Sequence, residues 1–559
     1  MENIVEDAPP NNINLEQPYR TWYHFQPKKN WMNDPNGPMY YKGFYHFFYQ
    51  HNPDGASFGV NKMVWGHSIS KDLINWTHLN HAIEPTCAGE TSCFSGSATI
   101  VPGEQPVIYM LYTGLINEKT HQVQYLAMPK DLSDPKLIEW IKHPQNPLMA
   151  APNGVEVGEF RDPSTAWQGK DGKWRVLIGA RNGEQGKAIL YRSEDFVNWI
   201  VDPNPFYATD GTGVCECPDF FPVYINSTNG VDTSVENSSV RHVFKISYLL
   251  RCHDYYFIGK YVSDSDQEKF IPDEKFTGTW KELRFDYGNF YASKSFFDYA
   301  KNRRILWAWV LESDTKEDGI ERGWAGLQTI PRKFWLDESG KRLLQWPIEE
   351  LEQLRYNQIN ITRETLLSGS TLEVIGITAS QADVEVLFEL PDLESAEVLE
   401  PSEVDPQELC KEQYASIKGM IGPFGLQALA SEDQTERTTI SFRIYRVSDE
   451  YKCLMISDQT RSSSSLREGL EKPIYATIFD IDPNVKTISL RSLIDRSIIE
   501  SFGDGGKVVI TSRVYPLLAI EKDAHLFVFN DGSQSVVISE LNAWSMNQAE
   551  FENEQTYYG

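Results

Sequence analysis

The chain has 559 residues, of which 41% are hydrophobic and 13% aromatic, and its formal net charge is −27 at pH 7. This apolar content excludes bulk disorder, and the length predicts two domains. The negative charge argues against nucleic acid and anionic membrane surfaces as partners, and there is no run of 18 apolar residues to span a bilayer.

The first ten residues contain neither the basic segment nor the apolar segment of a secretory leader. We expect either a cytosolic protein or a secreted one whose leader is not part of this sequence. Four Asn-x-Ser/Thr triplets are candidate N-glycosylation sites and weakly favour secretion: Asn75, Asn226, Asn237 and Asn360. Seven cysteines are too few for a disulfide scaffold. Cys410 and Cys453 would pair in an oxidising compartment, and buried free thiols are the alternative.

Residues 1–18 are predicted to form an N-terminal extension, and residues 19–345 an all-β domain. Short aromatic and β-branched runs alternate with Gly, Pro, Asn and Asp clusters, which is typical of short strands joined by turns. The predicted strands include 44–49, 107–112, 174–178, 255–258 and 305–310. A phrase also repeats: Leu-Ile-Asn-Trp at 73–76 and Phe-Val-Asn-Trp at 196–199 each follow a Ser-x-Asp turn. The repetition indicates degenerate blades of a β-propeller.

Residues 346–370 are predicted to be a linker that begins with a short charged amphipathic helix at 346–354. From 371 to 546 polar and apolar residues alternate, for instance at 383–388 and 488–491. This pattern predicts antiparallel sheets with one solvated face, and therefore a β-sandwich. Residues 547–559 are expected to be a C-terminal tail. The sandwich is expected to have a structural role.

The most informative motif is Trp-Met-Asn-Asp-Pro-Asn-Gly at residues 31–37. Pro fixes φ, Gly accepts positive φ, and Asn and Asp bond to their own backbone, so the run predicts a tight turn. Asp34 is then either a structural turn residue or a carboxylate held rigidly at the mouth of a pocket, beside aromatic side chains.

Two further carboxylates have similar surroundings. Asp162 follows Arg161, whose guanidinium is expected to lower the pKa of Asp162, unless the two form an ordinary surface ion pair. Glu216 lies in Cys-Glu-Cys-Pro-Asp-Phe, where low-polarity neighbours are expected to raise its pKa, unless it is only a strand-end glutamate. Together with Asp34 they supply a nucleophile, an acid/base and a fixed negative group, which glycoside cleavage uses, while aromatic rings offer faces to sugars. This chemistry requires no metal and no organic cofactor.

These motifs resemble those of plant members of glycoside hydrolase family 32, which includes invertases, fructan exohydrolases and fructosyltransferases. The matching segments cover nearly the whole chain: 31–37, 94–99, 160–163, 216–220, 291–294, 324–328, 492–495 and 500–506. The resemblance implies a five-bladed β-propeller followed by a β-sandwich. It also implies Asp34 as the nucleophile, Asp162 as the transition-state stabiliser and Glu216 as the acid/base. The substrate-binding residues that it implies are Trp31, Asn33, Gln50, Trp65, Phe94, Ser95, Arg161, Tyr291, Lys294 and Trp309.

Departures from the family pattern favour fructans over sucrose as the substrate. Plant invertases usually carry Trp where this chain has Phe94 and Cys215, and smaller side chains there would widen the acceptor subsite, which makes a fructosyltransferase a serious alternative. Sucrose-preferring relatives hold an Asp after Gly-Thr-Tyr, whereas the place identified here reads Gly-Lys-Tyr-Val at 259–262. An acceptor for glucose hydroxyls is then absent, unless Asp264 or Asp266 replaces it. Segments 226–232 and 241–243 also resemble exohydrolases.

We therefore expect a retaining fructan exohydrolase that releases terminal fructose. The alternatives are a fructosyltransferase that builds fructans from sucrose, then an acid invertase, and, outside enzymes, an inactive carbohydrate-binding homologue. Retention predicts that the carboxyl oxygens of Asp34 and Glu216 lie about 5.5 Å apart. The resemblance implies the secretory route, to the apoplast or the vacuole, and we expect a monomer.

Overall fold

The computed structural model describes residues 17–59, 62–117, 120–263, 268–410 and 419–553. Its first domain consists of five antiparallel sheets, each built on four strands in sequential order. The first strands of neighbouring blades pack against one another around a central axis, except between blades 3 and 4, where the second strand of blade 3 packs against the first strand of blade 4. The predicted propeller is therefore confirmed, with one sheet for each blade.

The blades follow one another along the chain. The strands of blade 1 are Asn30–Tyr41, Phe44–Asn52, Val64–Ser70 and Trp76–His78; of blade 2, Ser92–Val101, Val107–Ile116, His121–Pro129 and Trp140–Lys142; of blade 3, Phe160–Arg161, Trp174–Asn182, Gln185–Ser193 and Trp199–Val201; of blade 4, Cys215–Tyr224, Val240–Tyr248, His253–Val262 and Lys269–Pro272; and of blade 5, Tyr291–Asp298, Arg303–Val310, Arg332–Leu336 and Leu343–Pro347. Short strands extend these sheets at Met149–Ala150, Trp167–Gln168, Tyr207–Asp210, Trp324–Ala325, Leu327–Gln328 and Phe551–Asn553.

The repeated Ser-x-Asp phrase forms the same turn in blades 1 and 3. The Asp72 carboxylate accepts bonds from the backbone N–H groups two and three residues on, at 2.9 and 2.8 Å. The Asp195 carboxylate accepts the equivalent pair at 2.9 and 2.7 Å. Leu73 and Phe196 occupy the same place in the two turns, and both have φ of 66°. The repeat thus encodes the connection from the third strand of a blade to its fourth.

The second domain is a sandwich of two sheets. The six-stranded propeller-side sheet contains, in spatial order, Arg355–Leu366, Val536–Met546, Gln381–Glu389, Thr487–Asp495, Ile498–Gly503 and Val508–Arg513. The outer sheet contains Ser370–Glu373, His525–Asn530, Ile421–Ala430, Thr438–Val447, Glu450–Asp458 and Ile474–Ile481, with Glu397–Leu399 beside Thr438–Val447. Alternate residues of the two sheets meet in one core, which includes Val384, Phe388, Phe424 and Phe442.

Two predicted boundaries differ from the structure. Arg355–Leu366 lies in the predicted linker but is an edge strand of the sandwich, and most of its side chains are exposed, so no apolar alternation identifies it. Phe551–Asn553 lies in the predicted tail but pairs in parallel with Trp76–His78, so the end of the described chain returns to blade 1.

In the part of the chain that the structure describes, helices are few and short. The predicted helix at 346–354 is a 3-10 helix at Glu349–Leu354. The α-helices are Lys316–Arg322 and Pro406–Leu409, and further 3-10 turns occur at Leu393–Ser395, Pro401–Glu403 and Glu521–Asp523. Within the described residues, none of these helices is long and apolar enough to cross a membrane.

Buried charges join the two domains. His24 of the propeller lies between two carboxylates of the sandwich, with Nδ1 2.9 Å from Asp495 and Nε2 3.0 Å from Glu500. Glu500 also accepts a bond from Arg332 Nε at 3.0 Å, and Arg332 reaches Asp286 at 2.9 Å. The side chains in these ion pairs have no exposed surface, so the network fixes one domain against the other.

The disulfide considered for Cys410 and Cys453 is not formed, because both residues are free thiols. Cys453 packs into the core between the two sheets, whereas Cys410 packs with Leu454 and Ile456 on the opposite face of the outer sheet. Successive residues of a strand point to opposite faces, so the sheet itself separates the two sulfurs.

Candidate active site

The first strands of the blades bring the three predicted carboxylates to one end of the propeller axis. Asp34 lies near the start of the first strand of blade 1, Glu216 near that of blade 4, and Asp162 directly after that of blade 3. Pairing is irregular at this place in four blades, between Met32 and Pro35, Cys93 and Gly96, Glu216 and Asp219, and Tyr291 and Lys294. Such bulges change the direction in which side chains point, and here they occur in strands that surround the propeller axis.

Asp34 is held by two neutral donors. Ser95 Oγ donates to one carboxylate oxygen at 2.6 Å, and Asn33 Nδ2 donates to the other at 2.9 Å. Burial and the negative charge of Asp162 raise the pKa of Asp34 to about 7, against the lowering effect of the bond from Ser95. The carboxylate is thus fixed in place, and its ionisation depends on its neighbours.

Glu216 is held from two sides. Arg161 binds one of its oxygens through Nε and Nη2, at 2.8 and 2.7 Å, and the Tyr291 hydroxyl donates to the other at 2.6 Å. Arg161 is itself supported by Glu159 at 2.7 Å and by Gln122 at 3.2 Å. Burial alone would lower the pKa of Arg161. The carboxylates of Glu216, Asp162 and Glu159 raise it, so the guanidinium stays charged.

The predicted pairing of Arg161 with Asp162 is wrong, because Arg161 forms its ion pairs with Glu216 and Glu159. Asp162 has φ of 63°, a left-handed conformation that turns its side chain away from that of its neighbour. The charge of Arg161 does lower the pKa of Asp162, as predicted, but burial and the charge of Glu216 outweigh it, so the pKa is raised overall. The backbone N–H of Cys217 donates to its carboxylate at 3.1 Å.

Cys217 lies between two of the carboxylates, which sequence reasoning did not predict. Its sulfur is 3.7 Å from Asp34 and 3.6 Å from Asp162, and the ligand atoms of the three residues lie within 4.8 Å of one another. Among the described residues this is the group that could hold a metal ion. It fits one poorly, because burial raises the pKa of the thiol well above its usual value and a metal-bound thiol must lose its proton.

Asn33 and Gln50 are buried, and their positions are fixed by hydrogen bonds. Asn33 Nδ2 donates to Gln50 Oε1 at 2.6 Å, and Trp31 Nε1 donates to Asn33 Oδ1 at 2.9 Å. Gln328 Nε2 donates to the Asn33 carbonyl at 2.6 Å. The predicted motif at 324–328 thus places Gln328 beneath the site, a role that its sequence position alone did not reveal.

Lys294 is also brought to the site. It is 1% exposed, its Nζ has no hydrogen-bond partner among the described residues, and its charge partly opposes the rise in the pKa values of Asp162 and Cys217. An unpaired buried ammonium beside these groups is a donor available to a substrate hydroxyl.

Aromatic side chains line one side of the opening. Trp31 lies 5.6 Å from Trp309 and 6.2 Å from Phe58, ring centre to ring centre, and Phe58 lies 6.1 Å from Phe94. Phe58 is 47% exposed and was not predicted as a site residue. Trp65 differs from the prediction, since it is fully buried and donates its indole N–H to the Phe94 carbonyl at 2.9 Å, so it supports this wall from behind.

Two of the sequence features expected to shape the acceptor side, Cys215 and the Gly-Lys-Tyr-Val segment at 259–262, are not exposed there in the structure. Cys215 is fully buried, so its small side chain does not widen an exposed subsite, whereas Phe94 is partly exposed, as expected. Val262, at the end of the predicted Gly-Lys-Tyr-Val place, is nine residues along its strand from the catalytic end, or about 30 Å. The alternative residues Asp264 and Asp266 lie outside the described residues.

The hairpin at the catalytic end of blade 4 is residues 249–252 instead. Ser247 pairs with Glu216 and Tyr248 with Cys215, which places this hairpin beside the acid/base candidate. Its sequence is Leu-Leu-Arg-Cys, and Leu249 is 39% and Leu250 71% exposed. This hairpin therefore places leucine side chains beside Glu216, whereas the Gly-Lys-Tyr-Val segment lies toward the other end of the blade.

The candidate glycosylation sites differ in exposure. Asn226, Asn237 and Asn360 are exposed, whereas Asn75 is only partly exposed and its amide nitrogen donates to Asp72 at 2.8 Å. Glycosylation at the three exposed positions remains a prediction.

Comparisons with known proteins agree with this geometry. The model for the glycosyl hydrolases family 32 N-terminal domain matches residues 24–347, and the model for the family 32 C-terminal domain matches residues 350–545. The chain is 54% identical to the β-fructofuranosidase, insoluble isoenzyme CWINV1, of Arabidopsis thaliana, over 98% of this chain and 94% of that protein. It is 51% identical to the fructan 6-exohydrolase of Beta vulgaris, over 96% and 90%.

Solved structures are also similar. The crystal structure of fructan 1-exohydrolase IIa from Cichorium intybus has a TM-score of 0.93 and 55% sequence identity, and the match covers 97% of this chain and 100% of that one. A variant of that enzyme in complex with 1-kestose matches equally well.

Proposed function

The chain belongs to glycosyl hydrolase family 32, and from this premise we propose that it is a retaining fructan exohydrolase, which releases terminal fructose from fructans. The observation that carries the proposal is the convergence of Asp34, Asp162 and Glu216 at one end of the propeller, each with its own set of donors. The proteins named above as fructan 6-exohydrolase and fructan 1-exohydrolase support the choice of substrate.

In the proposed mechanism Asp34 attacks C2 of the terminal fructosyl unit while Glu216 gives its proton to the departing oxygen. Glu216 then removes a proton from water, which attacks C2 and releases fructose with overall retention. Arg161 and Tyr291 hold Glu216 in position for both steps. Asp162 and Lys294 are proposed to bind the fructosyl hydroxyls, with Asp162 favouring the positive charge that develops in the transition state.

The hairpin at 249–252 favours fructan over sucrose. It offers exposed leucines and no carboxylate beside Glu216, so glucose hydroxyls meet no strong acceptor there. Sucrose hydrolysis is the second candidate, because the 54% identical relative is named a β-fructofuranosidase. Fructosyl transfer is the third, in which a sugar hydroxyl takes the place of water.

Separate incubations with sucrose, 1-kestose, inulin and levan, followed by chromatography of the products, test the proposal. We expect free fructose from the fructans and little cleavage of sucrose. The relative rates of fructose release from inulin and from levan report the linkage preference. Rapid cleavage of sucrose alone would favour the second candidate, and longer oligosaccharides from sucrose the third.

The nucleophile is tested by Asp34→Asn, which keeps the size of the side chain and removes its charge. Turnover of 1-kestose should be lost while the sugar still binds, as measured by isothermal titration calorimetry. Full activity in this variant contradicts the assignment.

We also propose that the protein enters the secretory route as a monomer. Its relative is named an insoluble isoenzyme, and three sequons are exposed. A mobility shift on endoglycosidase treatment of the plant-expressed protein, and a light-scattering mass of one chain, are expected.

A further inference from the structure

The sandwich carries a large open cleft that the proposed mechanism does not use. It has a volume of about 600 Å³ and lies on the face of the outer sheet that points away from the core. Its charged lining residues are Arg437, Asp458, Arg461 and Asp531, and its uncharged polar ones include Gln427. All lining residues belong to the sandwich, so the cleft is separate from the catalytic end of the propeller.

Several hydrogen-bonding groups in the cleft are without strong partners. Within the described part of the chain, neither Arg437 nor Arg461 has a carboxylate oxygen within 4.0 Å, and Arg437 donates to the Gln434 carbonyl. Gln427 is 5% exposed, yet its Oε1 has no partner among the described residues. A buried acceptor and two guanidinium groups in one concavity are the usual signs of a site that receives a polar ligand.

The mixture of charges indicates an uncharged ligand. Asp458 and Asp531 lie with the two arginines, so an anion would meet two carboxylates and a cation would meet two guanidinium groups. Alternating donors and acceptors suit the adjacent hydroxyls of a sugar, and Ile456 and Ile474 supply apolar surface for its C–H faces. An oligosaccharide satisfies all of these groups.

The cleft is connected to the catalytic end of the propeller. The segment from Arg461 to Ile474 docks on the propeller, since the Glu471 N–H donates to the Ser313 carbonyl at 2.8 Å and Arg467 pairs with Asp318 at 2.5 Å. Ile474 is three residues from Glu471, and Ser313 is four residues from Trp309 of the aromatic wall. The path from Ile474, at the edge of the cleft, to Trp309 therefore consists of three residues, the Glu471–Ser313 hydrogen bond and four more residues. Even if these seven residues were fully extended, Ile474 and Trp309 would lie no more than roughly 30 Å apart.

We propose that this cleft is a second carbohydrate site, which binds inner units of a fructan chain whose end occupies the active site. The identity of the sugar rests on the proposed function, whereas the existence of the site rests on the cleft alone. Binding at two points on one polymer raises its effective concentration at the active site, so long chains should benefit and short ones should not.

The kinetic test uses the double variant Arg437→Ala/Arg461→Ala in the full-length protein. KM for long-chain inulin or levan should rise about tenfold, the loss of 1.4 kcal/mol of binding, while the kinetics with 1-kestose remain unchanged. Arg363→Ala is the matched control, because Arg363 is an exposed arginine on the edge strand of the other sheet. Equal KM values for polymer in the double variant and the control would overturn the proposal.

A binding test separates this site from the proposed function. The Glu216→Gln protein, with and without the double substitution, is run through native gels containing inulin or levan. Weaker retardation of the double variant supports the site even if the enzyme proves to act on sucrose. Equal retardation with and without the substitution, or none at all, overturns it.

Loss of fold is controlled by the melting temperature and by a second variant. Thr439→Trp fills the cleft without removing a charge and should reproduce the polymer-specific loss. Unchanged polymer binding in a folded Thr439→Trp protein would contradict the proposal.

Discussion

Replacing Ser95 with Ala isolates the hydrogen bond that stabilises the ionised form of Asp34. The Ser95 hydroxyl donates to the carboxylate at 2.6 Å, against burial and neighbouring charges that raise the pKa of Asp34 to about 7. A hydrogen bond to a charged group contributes about 1.5–3 kcal/mol, and 1.36 kcal/mol corresponds to one pH unit. The variant should therefore raise the pKa of Asp34 by about 1–2 units.

The assay is kcat/KM for 1-kestose as a function of pH at constant ionic strength. Asp34 must be ionised to act as the proposed nucleophile, so a higher pKa of Asp34 moves the acid limb of the profile to higher pH. Ser97→Ala is the matched control, because Ser97 lies two residues along the same strand and its Oγ has no partner among the described residues. An acid limb that stays in place, moves to lower pH, or moves equally in the control would refute the reasoning.

Three further predictions concern the site and the domain interface. Asp162→Asn removes a charge within 4.8 Å of Asp34, and two unit charges at 4.8 Å interact by about 3.5 kcal/mol at an effective dielectric constant of 20, so the acid limb of the residual kcat/KM should move to lower pH; a shift to higher pH would contradict this. Tyr291→Phe removes one of the bonds that hold Glu216 and should lower kcat/KM about 10–100-fold with the melting temperature unchanged, whereas wild-type kinetics would exclude a positioning role. Glu500→Gln removes one of the two carboxylates that pair with Arg332 and one of the two beside His24, so only Asp286 and Asp495 remain, and it should reduce the free energy of unfolding by up to about 3–5 kcal/mol in denaturant titrations. Folding lowers the pKa of Glu500, so ionised Glu500 stabilises the fold at pH values above its pKa in the unfolded chain, and this stabilisation is lost as the pH falls through its pKa in the folded protein. The difference in the free energy of unfolding between variant and wild type should therefore shrink in acid. A difference that grows in acid would contradict the assignment.

Local sequence determined the elements and singled out the three carboxylates that are proposed to react. The strands at 44–49, 107–112 and 305–310 follow from aromatic and β-branched runs between turn formers, and the Ser-x-Asp turns follow from hydrogen bonds within four residues. Asp34, Asp162 and Glu216 were recognisable because each lies in a distinctive short motif. These features depend on neighbours in the chain, which a sequence displays directly.

The partners of those groups were decided by the tertiary structure. Arg161 pairs with Glu216 from another blade, and not with the adjacent Asp162, because a positive φ turns Asp162 away. Trp65 supports the aromatic wall from behind, and the catalytic-end hairpin is 249–252, because strand register sets which end of blade 4 lies beside Glu216. Burial and register arise only when the five sheets close around one axis, so spacing along the chain could not supply them.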